Sequence, residues 1–294
     1  MTALPRAEQA EPRTALAELL RGYSVEVTTR DTKSLAQAQA VLPAGTEVFV
    51  AALPKEKAGR QVDVAAALRA MGHVPVPHIV ARNIADRAEL DAVLGRLVRE
   101  AGVDRVLVLG GDRDRPAGAF DSALQLIETG LFEAHGICRI CISAYPEGHP
   151  RIPDSVLDSA RAAKLAQAET RGLSVELVSQ FCFDAAPVIA LAERLRDEGC
   201  KARLRVGVAG PADRATLIKY AMICGVGPSL RALKERQGLA LTMLSGETPE
   251  AMLGQVAEAC RQQPDLPISG THFFTFSSLA ESARWANRYS SMAS

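Results

Sequence analysis

Apolar residues along the 294-residue chain fall into two alternating patterns. Short β-branched runs occupy 23–28, 47–52, 74–80, 105–109, 137–143, 175–181, 204–208 and 268–274. Runs of this length and composition predict buried strands. Other stretches repeat apolar residues every three or four positions, the period of a helix: 34–41, 61–71, 86–100, 120–130, 154–169, 185–198, 213–224 and 249–261. Strand then helix, eight times over, predicts an α/β fold of the closed (β/α)8 TIM-barrel type in a single domain. Residues 1–20 read as an N-terminal extension with a helix, and 21–294 as the barrel.

The punctuation fits this reading. Asp86 and Asp154 stand where helix N-caps are wanted, and Gly72, Gly102, Gly172 and Gly199 each follow a helix where a left-handed residue is wanted. Residues 225–244, with Arg231, Lys234 and Arg236, predict a further short exposed helix. A Rossmann sheet would announce a nucleotide by GxGxxG after its first strand. The nearest approach, Gly225-Val-Gly227, follows a helix and lacks the third glycine.

Charge narrows the partners. Lys plus Arg (34) equal Asp plus Glu (34), and no basic stripe interrupts the chain, so no nucleic-acid or anionic-membrane partner is expected. Residues 1–13 lack the apolar core of a secretory signal, and no run of about 18 apolar residues follows, which predicts a cytoplasmic protein. The six cysteines form no disulfide framework. Cys138 and Cys141 have CxxC spacing, but in a strand positions three apart face opposite sides, so they read as packing residues and no metal site is expected.

In a barrel the reacting groups gather at the C-terminal strand ends. On the first strand Ser24, Glu26 and Thr28 share a face opposite to Tyr23, Val25 and Val27. Glu26 then points inward, where apolar walls would raise its pKa and equip it to donate a proton; a glutamate paired with an interior arginine is the alternative. After strand four, Gly110-Gly111-Asp112 lets a flat ligand approach the backbone, and an Asp-capped tight turn explains the same residues. After strand five, Tyr145 and His149 bring a stacking ring and an imidazole close to a helix N-terminus suited to phosphate. Gln180 offers a two-way amide beside aromatic surface.

Taken in order, these pieces resemble the methylenetetrahydrofolate reductase family of flavoproteins, over nearly the whole chain. The most specific segments are Ala144-Tyr-Pro-Glu-Gly-His149-Pro and Ser179-Gln-Phe-Cys-Phe-Asp184, similar to that family's AAYPExHP and TQFFFD signatures. The resemblance implies a (β/α)8 barrel holding FAD, with NADH or NADPH as reductant. It implies interconversion of 5,10-methylenetetrahydrofolate and 5-methyltetrahydrofolate, serving one-carbon metabolism and methionine biosynthesis. Matched by motif position, it implies Glu26 as the acid that protonates the folate, with Asp112 beside the pterin and flavin rings. It makes Gln180, Ser24 and Phe274 substrate contacts, and His78, Gly111, Tyr145 and His149 FAD contacts. Asp158 and Lys164 would meet the FAD ribose and phosphates.

Some positions depart from the family pattern. Gly110 stands where the family usually has Arg, and the first strand reads Ser24-Val-Glu26-Val-Thr-Thr-Arg30 where SFEFFPP is usual. Residues 277–294 supply only a final helix with the single Trp285, so a second ligand-sensing domain is not expected. A homo-oligomer is compatible with the chain. The competing functions are a tetrahydrofolate-dependent methyltransferase barrel, and a folate- or flavin-binding protein with altered catalysis.

Overall fold

The computed structural model describes residues 10–53, 56, 58–212, 214–224, 226 and 248–290. Eight parallel strands close into a barrel in chain order: β1 (Ser24–Thr28), β2 (Glu47–Ala51), β3 (Val74–Val80), β4 (Arg105–Leu109), β5 (Arg139–Ala144), β6 (Ser174–Ser179), β7 (Arg203–Ala209) and β8 (Ile268–Phe274). β8 pairs with β1, setting Ser24 against His272 and Glu26 against Phe274.

Helix α1 (Ala10–Leu19) precedes the barrel, and α2 (Thr32–Val41), α3 (Ala58–Ala70) and α4 (Arg87–Ala101) follow the first three strands. Next come α5 (Ala123–Glu128), α6 (Leu131–Ala134), α7 (Asp154–Thr170), α8 (Ala185–Asp197), α9 (Arg214–Cys224), α10 (Glu250–Gln262) and α11 (Leu279–Ser290). The expectation of one helix after each strand needs adjusting. Both α9 and α10 lie between β7 and β8, and α11 is the helix that follows β8.

Period-two alternation sorts each strand into two environments. Val25, Val27, Val48, Val50, Val106, Val108, Ile140, Ile142, Val206 and Val208 face outward and are buried under the helices. Inward residues form layers. At the N-terminal end, Glu47 pairs with Arg105 and, at 2.9 Å, with Arg205, which also reaches Glu176 at 3.1 Å. Above this ionic layer Phe49, Val76, Leu107, Cys141 and Val178 fill the interior. Cys141 is therefore a buried packing residue, and Cys138 is exposed just before the strand.

Several helix ends follow the sequence. Asp86 caps α4 by accepting from the Glu89 N–H at 2.8 Å, and Gly72, Gly102, Gly172 and Gly199 all have left-handed φ. Asp154 does not act as a cap. It is the first helical residue of α7, behind Pro153, where its charge suits the positive end of the helix. The expected helix over 120–130 is also broken: α5 ends at Glu128, and Gly130, at φ +73°, turns the chain into α6. The short helix and the glycine pair expected within 225–244 lie outside the described residues, apart from Val226.

Candidate functional site

The barrel holds two features, a buried acid on β1 and a long cleft along the ends of β4 and β5. Alternation along β1 carries Glu26 into the barrel, where its side chain is 20% exposed. His78 Nε2 from β3 stands 3.4 Å from Glu26 Oε2, and His272 Nε2 from β8 stands 4.0 Å away. No arginine lies within ion-pair distance among the described residues, so the salt-bridged alternative for Glu26 falls to Glu47 and Glu176 below it.

Burial dominates the electrostatics of this cluster. It pushes the Glu26 carboxyl up, against the opposing pull of His78. It pushes His78 down despite the attraction of Glu26, and His272 down to about 3. Both imidazoles are neutral at neutral pH, so Glu26 has no adjacent fixed cation to hold it ionised. Such a carboxyl is suited to carry a proton and release it. Phe49 crowds both rings, with centroid distances of 6.3 Å to His78 and 4.5 Å to His272.

Ser24 is fully buried and its hydroxyl lies 2.9 Å from His272 Nδ1. That contact ties its hydroxyl to the His272 ring. His272 itself was missed in the sequence. The signal was available, because it shares the inward face of β8 with Phe274.

The cleft runs along the ends of β4 and β5. One lobe of about 520 Å³ is walled by Gly110, Gly111, Asp112, Tyr145, His149 and Lys164 among others. A second lobe of about 360 Å³ lies across Tyr145 and shares Lys164 with the first; Asp158, Arg161 and Arg194 line it. Tyr145 and His149 meet edge to face at 5.3 Å, giving the cleft an aromatic corner.

At Gly111 the wall of the cleft packs tightly on β3. The Gly111 φ is +102°, and a Cβ there would fall 2.4 Å from Val80 Cγ1. Two exposed aliphatic residues, Ile152 and Val156, form an apolar lip on the same lobe. Lys164 is half-buried without a carboxylate at ion-pair distance among the described residues, and burial lowers its pKa. An unpaired, partly desolvated cation of this kind favours an anionic ligand. Asp158 is less free, since it pairs with Arg161 at 3.3 Å and Arg194 at 3.7 Å.

The remaining expected site residues are distributed around this frame. Asp112 stands on the rim with its side chain 88% exposed, 3.5 Å from Arg151. His78 does not join Tyr145 and His149; it belongs to the Glu26 cluster and to a small cavity toward β2. Gln180 follows β6, with its Oε1 accepting from the Phe181 N–H at 3.1 Å, so the amide NH2 is the end left for a ligand. Phe274 packs with Phe181 at 5.4 Å and His272 at 5.0 Å beside the acid.

Helix α9 covers this sector, its Leu217 and Ala221 packing with Phe181, Phe274 and Phe276. Phe276 and Ser277, at φ +46° and +67°, turn the chain sharply after β8, and the Phe276 ring stacks on Tyr220 at 4.5 Å.

Fold and site together define a closed parallel-barrel protein with a buried carboxyl group inside it and a two-lobed cleft along the ends of β4 and β5. Residues 28–227 match the sequence model of the family described as methylenetetrahydrofolate reductase. The chain belongs to that family, and membership together with the barrel fits a folate-linked reductase. Among solved structures, the chain is similar to an intracellular xylanase from Thermoanaerobacterium saccharolyticum, with TM-score 0.46 and 13% identity over 88% of this chain and 89% of that one. That likeness is too distant to bear on function. Among the described residues, no helix is long and apolar enough to cross a membrane.

Proposed function

We propose that the protein interconverts 5,10-methylenetetrahydrofolate and 5-methyltetrahydrofolate, holding FAD in the two-lobed cleft and using NADH or NADPH. The observation that carries the reading is the presence of two unlike features in one barrel: a buried acid flanked by neutral histidines, and a cleft along the ends of β4 and β5 with an unpaired cation. The residues present fit the cofactor. The Ile152–Val156 lip suits a flat ring, the Tyr145–His149 corner can stack, and Lys164 can meet a phosphate. When bound, the flavin supplies a hydride-transfer centre.

The chain's own residues do the remaining work. Glu26 gives its proton to the folate nitrogen whose bond to the one-carbon unit breaks as the five-membered ring opens. The positive charge left on that unit makes it a hydride acceptor. Burial of Glu26 itself favours its protonated form, and His78 and His272, kept neutral by burial, add no fixed cation that would hold it ionised. Ser24 fixes the His272 ring, and Gln180 reads the pterin edge with its free amide NH2. Asp112 at the cleft rim accepts from donors on the ring system.

Colour is the first test. The purified protein is expected to be yellow, or to become so when FAD is added, and to bleach with NADH or NADPH. His149→Ala is expected to lose flavin on dilution. A protein that binds folate but never takes up flavin would refute this reading in favour of the methyltransferase or binding-protein alternative.

A further inference from the structure

Residues 110–122 cross the mouth between β4 and α5 without helix or strand, and they supply much of one wall of the larger lobe. A segment of this length needs something other than a backbone ladder to hold it. Arg82, in the 3-10 turn Ala81–Asn83 after β3, meets it at several points. Its Nε donates to Asp121 O at 3.0 Å, and its Nη1 donates to Arg113 O at 2.7 Å and, more weakly, to Asp114 O at 3.4 Å. Its backbone N–H donates to Gly110 O at 3.0 Å, and its carbonyl accepts from the Ala117 N–H at 3.0 Å.

We propose that Arg82 is a positioning residue that fixes the 110–122 wall in its ligand-ready form. The inference deepens the flavin reading and rests on it for the identity of the ligand. Three features favour a positioning role over a merely electrostatic one. The guanidinium contacts three carbonyls in the segment, at both of its ends, a task suited to a rigid planar fork. No carboxylate stands within ion-pair distance of Arg82 among the described residues, so charge pairing is not its local purpose. The segment also runs too close to the 82–85 turn to be loosely held: Ala119 N–H donates to Ala85 O at 2.8 Å, and a Cβ on Gly118 would lie 1.8 Å from that oxygen.

The test compares Arg82→Met with Arg82→Lys by two measurements, amide hydrogen exchange at Ala117 and Ala119 in flavin-free protein, and FAD affinity by fluorescence quenching. If the fork positions the wall, both variants lose it. Exchange at Ala117 and Ala119 and the FAD Kd should each then rise roughly ten- to hundredfold, the scale of losing hydrogen bonds from a charged donor. Exchange at Val106 and Leu107 in β4 should stay at the wild-type rate. Wild-type exchange in Arg82→Met would overturn the proposal, as would an Arg82→Lys protein indistinguishable from wild type, since charge alone would then suffice. If Arg82→Met does not fold, Arg82→Lys carries the same comparison. Faster exchange in a protein that takes up no flavin would uphold the positioning role and overturn the flavin reading alone.

Discussion

Replacing Gly111 by alanine tests the construction of the cleft at its tightest point. Two costs add. A side chain at φ +102° leaves the ordinary left-handed well, at about 1–3 kcal/mol, and the new Cβ would stand 2.4 Å from Val80 Cγ1. Val80 is β-branched and stiff at χ1, so the clash has to be relieved by moving backbone, at about 1–3 kcal/mol more. Gly172 provides the control. Its φ is +68° and nothing lies within 4 Å of an added Cβ, so Gly172→Ala bears the backbone cost alone. The expected difference between the variants is about 2 kcal/mol, or about 3 °C in Tm. Thermal melts of the flavin-free proteins measure it, and FAD titration should show weaker binding only for Gly111→Ala. Equal melting temperatures for the two variants would refute the close packing inferred at Gly111.

Lys164→Met should leave the flavin-free protein as stable as wild type or more so, because a half-buried unpaired charge is removed, yet weaken FAD binding roughly tenfold or more; a loss of stability in the melt would argue against an unpaired Lys164. Gln180→Ala should raise the folate KM while leaving flavin reduction by nicotinamide unchanged, and equal damage to both half-reactions would contradict its role in reading the pterin. Stability should fall with acid. His73, His78 and His272 all have pKa values lowered by burial, so below about pH 6.5 the unfolded chain binds more protons than the folded one, and their contribution is lost as pH falls toward their native values. Glu26, raised by burial, has the opposite sign and offsets only part of the slope. Urea melts at pH 7.5, 6.5 and 5.5 check this, and His73→Gln should flatten the dependence.

Much of the fold was legible because barrel strands are buried on both faces, so their apolar runs stand out from helices of period 3.6. Four strand-like runs, 74–80, 105–109, 204–208 and 268–274, match β3, β4, β7 and β8 or fall within them. Ends set by local hydrogen bonding were less legible. Ile137 looks like strand, but its N–H donates back to Phe132 O at 2.9 Å, closing α6 and delaying β5 to Arg139. The inward direction of Glu26 followed from alternation alone. Its company did not, because His78 and His272 come from strands far apart in sequence that meet it only when the barrel closes. Arg82 was invisible for another reason: its partners are backbone carbonyls, which carry no side-chain signature in a sequence.

The central claim is that Glu26 is the acid of the folate step and has no part in the nicotinamide step. Glu26→Gln preserves the shape and removes the proton. Stopped-flow absorbance of the flavin follows the two half-reactions separately. The account predicts near-normal bleaching by reduced nicotinamide and a folate-dependent reoxidation slowed by roughly two to four orders of magnitude, the usual contribution of a positioned acid. Reoxidation by methylenetetrahydrofolate at the wild-type rate would contradict it and leave Glu26 a structural residue of the barrel mouth.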